Sequence, residues 1–100
     1  MRVVGTARYT CKPGTREQML EEIRACGVEE IFRAYPECQV YNYSYSATDP
    51  DAVDLCDVWA TKESFERHLL DPVCKITAEI RGKYVLDRRI FVTMGEEYQK

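Results

Sequence analysis

Histidine and tryptophan each occur once in this 100-residue sequence, as His68 and Trp59. With no histidine pair and no C-x-x-C among Cys11, Cys26, Cys38, Cys56 and Cys74, a zinc site lacks its ligand pairs. An odd cysteine count would leave a disulfide framework with one thiol over. Glycine is scarce and dispersed, at positions 5, 14, 27, 82 and 95, so no phosphate-cradling loop forms. A flavin or nicotinamide held by a Rossmann motif is therefore unsupported. Basic charge is also short, with Lys+Arg 14 against Asp+Glu 17 and a net charge of −3. That balance lacks the positive field a nucleic acid or an anionic membrane requires. No apolar run approaches the ~20 residues of a membrane span. Residues 1–5, MRVVG, start like a strand, with no apolar h-region of a secretory leader behind them. The expected setting is a reducing cytoplasm, with the cysteines acting as small core residues and titrating as free thiols.

What is present is an ordinary globular composition, 45% hydrophobic and 31% charged. The length fits one domain, 1–100, with a core over about 3–92 and a loose polar tail at 95–100. Residues 3–10 are rich in β-branched side chains and run into Lys12-Pro13-Gly14, which reads as a strand and a turn. Thr15-Arg16-Glu17-Gln18 has the form of a capping box. Met19, Leu20, Ile23, Cys26, Gly27, Ile31 and Ala34 then recur at helical spacing. Gly27 in that stripe either breaks the helix or leaves room beside it.

Residues 39–46 alternate with period two and set Tyr41, Tyr43 and Tyr45 on one face, expected to be buried at a barrel or subunit interface. A third strand follows at 53–60, and Thr61 caps a helix over 62–70 in which Phe65, His68 and Leu69 share a face. Asp71-Pro72 interrupts it, a helical rhythm resumes over 73–81, Gly82 ends it, and 83–92 reads as strand four. The order βαββαβ predicts an α+β, ferredoxin-like antiparallel sheet with its helices on one face. That fold hosts unrelated functions, so function has to come from sites.

An RNA-recognition module would need a basic aromatic motif on a central strand, where this chain has Leu55-Cys56-Asp57-Val58-Trp59. A metallochaperone would need two thiols in the first loop, where Cys11-Lys12-Pro13-Gly14 supplies one. Strand alternation puts Trp59 on one face with Asp57, Leu55 and Val53. Trp59 is then either a pocket wall or a core aromatic whose indole N–H finds an acceptor. His68, on the inward edge of its helix, is either a half-buried structural histidine or a group able to accept a proton at neutral pH. Asp57 would be costly to bury unpaired, and His68, an arginine or water could pair with it. Arg88-Arg89 reads as interface or solvent charge.

The run Asp57-Val58-Trp59-Ala60-Thr61-Lys62-Glu63-Ser64-Phe65-Glu66-Arg67-His68-Leu69-Leu70-Asp71-Pro72 resembles the antibiotic-biosynthesis monooxygenase domain. Lys12-Pro13-Gly14 after the first strand and Pro36-Glu37-Cys38 before the second are similar to that family as well. The likeness spans about 3–92. It implies a dimeric α+β barrel and a cofactor-independent oxygenation of an electron-rich aromatic, a hydroquinone or anthrone, by O₂. The partners it implies are that small aromatic substrate, O₂ and a second copy of the chain, with neither nucleic acid nor membrane involved. His68 and Asp57 would serve catalysis, and Trp59, Ala7, Tyr9, Leu55 and Phe65 would bind substrate. Haem-degrading members offer an alternative reading with haem as the bound group, and a non-catalytic small-molecule-binding barrel is another. The chain departs from the pattern at four places. Ala7 stands where the haem-degrading branch has an Asn, Leu55 where some anthrone-oxidising relatives have one, Val73 where many members have a second His, and Glu37 where Gly is usual.

Overall fold

The computed structural model describes residues 1–98. Its elements are β1 (Arg2–Cys11), α1 (Arg16–Ala25), α2 (Val28–Arg33), β2 (Cys38–Tyr45), β3 (Ala52–Trp59), α3 (Lys62–His68), α4 (Val73–Tyr84) and β4 (Val85–Gly95). The strands form one antiparallel sheet in the order β2-β3-β1-β4. This is the ferredoxin-like α+β fold. Val3, Ala7, Tyr9 and Cys11 of β1, Tyr41 and Tyr43 of β2, and Val53 and Trp59 of β3 face the helices. They meet Met19, Leu20 and Ile23 of α1, Val28 and Phe32 of α2, and Val73 of α4 in one core. The opposite sheet face carries Thr6, Arg8, Asn42 and Ser44 in the open.

The first helical stretch is two helices. Gly27 adopts φ 78°, in the left-handed region, and turns the chain before α2 begins. The break resets the helical phase, so Val28 and Phe32 point inward while Ile31 and Ala34 face out, contrary to the continuous stripe expected from sequence. Thr15 forms no capping box: its hydroxyl donates to the Lys12 carbonyl at 2.7 Å and stays within the turn. Thr61 does form one. Its Oγ1 accepts from the Ser64 amide at 3.0 Å, and Ser64 Oγ accepts from the Thr61 amide at 3.2 Å. Leu69 lies past the end of α3 and is exposed, so it does not share the buried face of Phe65 and His68. Gly82 does not stop α4, which runs on to Tyr84, and β4 accordingly starts later and reaches Gly95. Of the expected tail, 99–100 lie outside the described residues.

The tyrosine stripe also departs from expectation. Tyr41 and Tyr43 are buried inside their own subunit, beneath α2, and Tyr45 is 42% exposed. They point toward the helices because β2 pairs with β3 in a register that sets Tyr41 opposite Asp57 and Tyr43 opposite Leu55. Phe32 packs 4.9 Å from the Tyr41 ring. The outer edge of β2 is closed by side chains. Arg33 Nε donates to the Tyr41 carbonyl at 3.0 Å, Arg24 Nη2 to the Tyr43 carbonyl at 3.3 Å, and the Tyr43 amide to Glu29 Oε2 at 3.3 Å. Such capping blunts an edge strand against further pairing. The other edge, β4, is left bare. Ile90 and Val92 lie on its helix side, opposite Ala7 and Gly5, and remain 53% and 49% exposed. All five cysteines are free thiols.

Candidate functional site

β1 and β3 bring Gly5 directly opposite Asp57, and the missing side chain at Gly5 makes the space that Asp57 occupies. A Cβ at Gly5 would lie 2.2 Å from Asp57 Oδ1, so the carboxyl group rests on the bare glycine backbone. Its other oxygen, Oδ2, accepts from Trp59 Nε1 at 2.9 Å. That bond satisfies the indole, which is fully buried.

The capping box at Thr61 and Ser64 starts α3 at the point that carries His68 back over the sheet. The imidazole stacks on Trp59, with centroids 4.4 Å apart and planes 16° apart. Phe32 meets it edge-on at 5.0 Å, and Phe65 at 5.1 Å. His68 Nδ1 bonds the Phe65 carbonyl. A carbonyl only accepts, so Nδ1 carries the hydrogen, and the lone pair of the neutral ring sits on Nε2. Nε2 lies 3.7 Å from Asp57 Oδ2.

His68 and Asp57 are 5% and 8% exposed, and burial disfavours the charged form of each. Burial pushes the His68 pKa below its ordinary value, against the opposing pull of the Phe65 carbonyl and the carboxylates Asp57 and Asp71. Burial pushes the Asp57 pKa up, with the Trp59 bond and His68 acting the other way. The pair therefore combines a neutral imidazole with a carboxylate whose proton affinity is raised. This arrangement offers a proton acceptor in Nε2, which at 3.7 Å stands beside the Asp57 carboxyl group without a hydrogen bond to it.

The structure thus gathers Asp57, Trp59, Phe65 and His68 into one cluster. Ala7, Tyr9 and Leu55 lie on the same sheet side, further along β1 and β3, with Ala7 opposite Leu55 on one flank and Ile90 on the other. Tyr9 is buried with the Arg81 guanidinium 5.0 Å above its ring. Two open spaces flank the sheet. One, of about 820 Å³, lies on the face away from the helices and includes Arg8, Asn42, Cys56 and Phe91 in its lining. The other, of about 310 Å³, lies between α4 and β4 and has Tyr9, Arg81 and Arg88 among its walls.

The residues do not fit haem. An iron on His68 Nε2 would have to displace Asp57 from its place on Gly5 and part the stack on Trp59. Among the described residues no group of three or more His, Cys, Asp or Glu could hold a metal ion. Nor is any helix among them long and apolar enough to cross a membrane. Sequence reasoning assigned no role here to Gly5, Phe32 or Arg81. Gly5 carried a usable signal, because a glycine inside a strand pattern marks close approach of another group.

The family profile of the antibiotic biosynthesis monooxygenases matches residues 2–79. The chain belongs to that family. Its fold is shared with a Mycobacterium tuberculosis protein at 17% identity and TM-score 0.83, with 100% of each chain covered. A Deinococcus radiodurans protein described as a candidate antibiotic biosynthesis monooxygenase is similar at 13% identity and TM-score 0.83, over 98% of this chain and 96% of that one. A Nitrosomonas europaea protein of the same description is similar at 17% identity and TM-score 0.82, over 94% and 89%. No curated protein matches the sequence.

Proposed function

We propose that the protein oxygenates an electron-rich aromatic, of hydroquinone or anthrone type, with O₂ and without a bound cofactor. The observation that carries this reading is the neutral His68 imidazole, its basic Nε2 facing a buried carboxyl group that reaches the Gly5 gap. The Asp57–His68 pair takes the proton of a phenolic hydroxyl. The resulting anion gives an electron to O₂, a carbon–oxygen bond forms, and the O–O bond then breaks. One oxygen atom stays in the product as a carbonyl and the other leaves as water, so no external reductant is needed. The protein's share of the work is to hold the substrate dry and oriented beside the proton acceptor. Ala7, Tyr9, Leu55 and Phe65 shape the approach, and Trp59 fixes Asp57 and His68 in place. Oxygen uptake by the purified protein with a hydroquinone or an anthrone, and no added cofactor or metal, should be saturable and stoichiometric with product. A rate no higher than that of the free substrate in buffer overturns the reading.

We further propose that the chain works as a homodimer closing an α+β barrel. The two sheet edges are treated differently: Arg24, Arg33 and Glu29 seal β2, whereas β4 leaves Leu86, Ile90, Val92 and Met94 uncovered on either side of Arg88. A patch of that kind is covered most simply by a second copy. Light scattering at micromolar concentration should give twice the mass of one chain. A stable monomer would remove the barrel.

A further inference from the structure

Arg81 and Arg88 face one cavity with no carboxylate to balance them. Among the described residues neither makes an ion pair, whereas Arg8, Arg24 and Arg33 each bind an acidic group. Arg81, half-buried, lies over the Tyr9 ring. Arg88 stands directly opposite Tyr9 in the β1–β4 register and so projects to the same side of the sheet. Asp87 also borders the space, but its register partner is Thr10, which places its side chain on the other face. Beside Arg81 the Tyr43 hydroxyl is buried, and the Arg81 charge opposes the effect of burial on its ionisation. Ala78, Val85 and Leu86 complete the wall with apolar surface, and a Cβ at Gly82 would meet nothing within 4 Å. A guanidinium has five donors in a planar fork, and unpaired ones at the end of an apolar space match a carboxylate.

We propose that this cavity between α4 and β4 binds the carboxylate of an aromatic phenolic acid, with Arg81 and Arg88 as its partners. The assignment rests on the reading above only for the far end of the ligand. From Tyr9, the same face of β1 runs through Ala7 to Gly5, opposite Asp57, and Ile90 and Val92 flank it as an apolar track that the second copy roofs over in the proposed dimer. Four residues of strand span roughly 13 Å. Side chains reach inward from both ends of that span, so the ligand is an extended planar phenol whose acid group lies roughly 10 Å from its hydroxyl, larger than a single-ring hydroquinone.

The test is calorimetric binding of 4′-hydroxybiphenyl-4-carboxylate, its methyl ester and 4-phenylbenzoate to the intact protein. The acid should bind about tenfold more tightly than the ester, the scale of one charge-assisted pair. Added salt should narrow that gap. Arg81→Gln and Arg88→Gln should each erase the preference. Arg88 sits on the exposed edge strand, so its variant serves even if Arg81→Gln disturbs the packing on Tyr9. Equal affinity for acid and ester, or a preference that survives in Arg88→Gln and in the double variant, overturns the proposal. 4-Phenylbenzoate separates the two readings. If it binds as tightly as the phenolic acid and loses its hold in the arginine variants, the anion site stands and the hydroxyl-binding role of Asp57 and His68 falls.

Discussion

Replacing His68 with alanine should lower kcat by about 10²–10⁴-fold, the span for losing a positioned general base. The same change removes the ring stacked on Trp59, so His68→Gln belongs beside it. Glutamine keeps a donor for the Phe65 carbonyl but has no basic nitrogen, and it should lose a comparable rate while melting closer to the parent. In the parent, kcat should rise with pH along a limb centred below 6.5, because burial lowers the histidine pKa from that ordinary value. The limb should vanish in both variants. Fold stability should move in the same direction. A histidine with a depressed folded pKa contributes stability above its unfolded value and loses it as pH falls below 6.5. Asp57 has the opposite sign. Its pKa is raised from 3.8, so its ionised form is disfavoured in the folded protein at neutral pH. Asp57→Asn, which still accepts from the Trp59 indole, should therefore melt higher than the parent while oxidising substrate more slowly. If His68→Gln keeps the parent's rate and pH profile, the base assignment is wrong.

The element order, and an antiparallel sheet with its helices on one face, were legible because period-two and helical patterns survive in each element. Asp57 and Trp59 could be placed on one face by alternation alone, and the capping signal at Thr61 fixed the start of α3. Where the reading failed, a local signal was ambiguous about its partner. Thr15 has the sequence of a cap, but the Lys12 carbonyl in the preceding turn takes its hydroxyl first. The tyrosines of β2 have a clear period but no mark of which layer covers them. That was decided by the break at Gly27, which rotates Phe32 onto Tyr41. Gly82 carries a stop signal in sequence, yet α4 continues through it to Tyr84, where both Lys83 and Tyr84 reach Glu22 of α1.

The site was only half legible for a related reason. Single-residue chemistry picked out His68 and Asp57, but nothing in their spacing said that one carbonyl would fix the tautomer or that Trp59 would hold the carboxyl group. Arg88 read as interface or solvent charge and Arg81 carried no signal, because their lack of counter-ions becomes visible only once α4 lies beside β4. Family membership does not supply these details either. Structural relatives at 13–17% identity share the backbone frame, which leaves the side chains of the site to be judged one at a time.

Gly5→Ala should be the most damaging of the small substitutions. The new methyl would lie 2.2 Å from Asp57 Oδ1, well inside van der Waals contact, with the sheet backbone beneath it. Either the strands part, an overpacking cost of about 1–3 kcal/mol, or Asp57 swings away. In the second case the Trp59 indole N–H is left buried without an acceptor, which costs about 1–3 kcal/mol as well. At about 4–8 °C per kcal/mol for a domain of this size, Tm should fall by roughly 5–20 °C. Activity should fall further than stability explains, because a displaced Asp57 no longer faces the apolar track between β1 and β4. A double-mutant cycle isolates the cause. In an Asp57→Ala background the methyl has the vacated space to enter, so Gly5→Ala should cost at least 1 kcal/mol less than in the parent, a coupling typical of residues in contact. Additive costs in the two backgrounds would mean that Gly5 is needed for its backbone alone and that Asp57 does not rest on it.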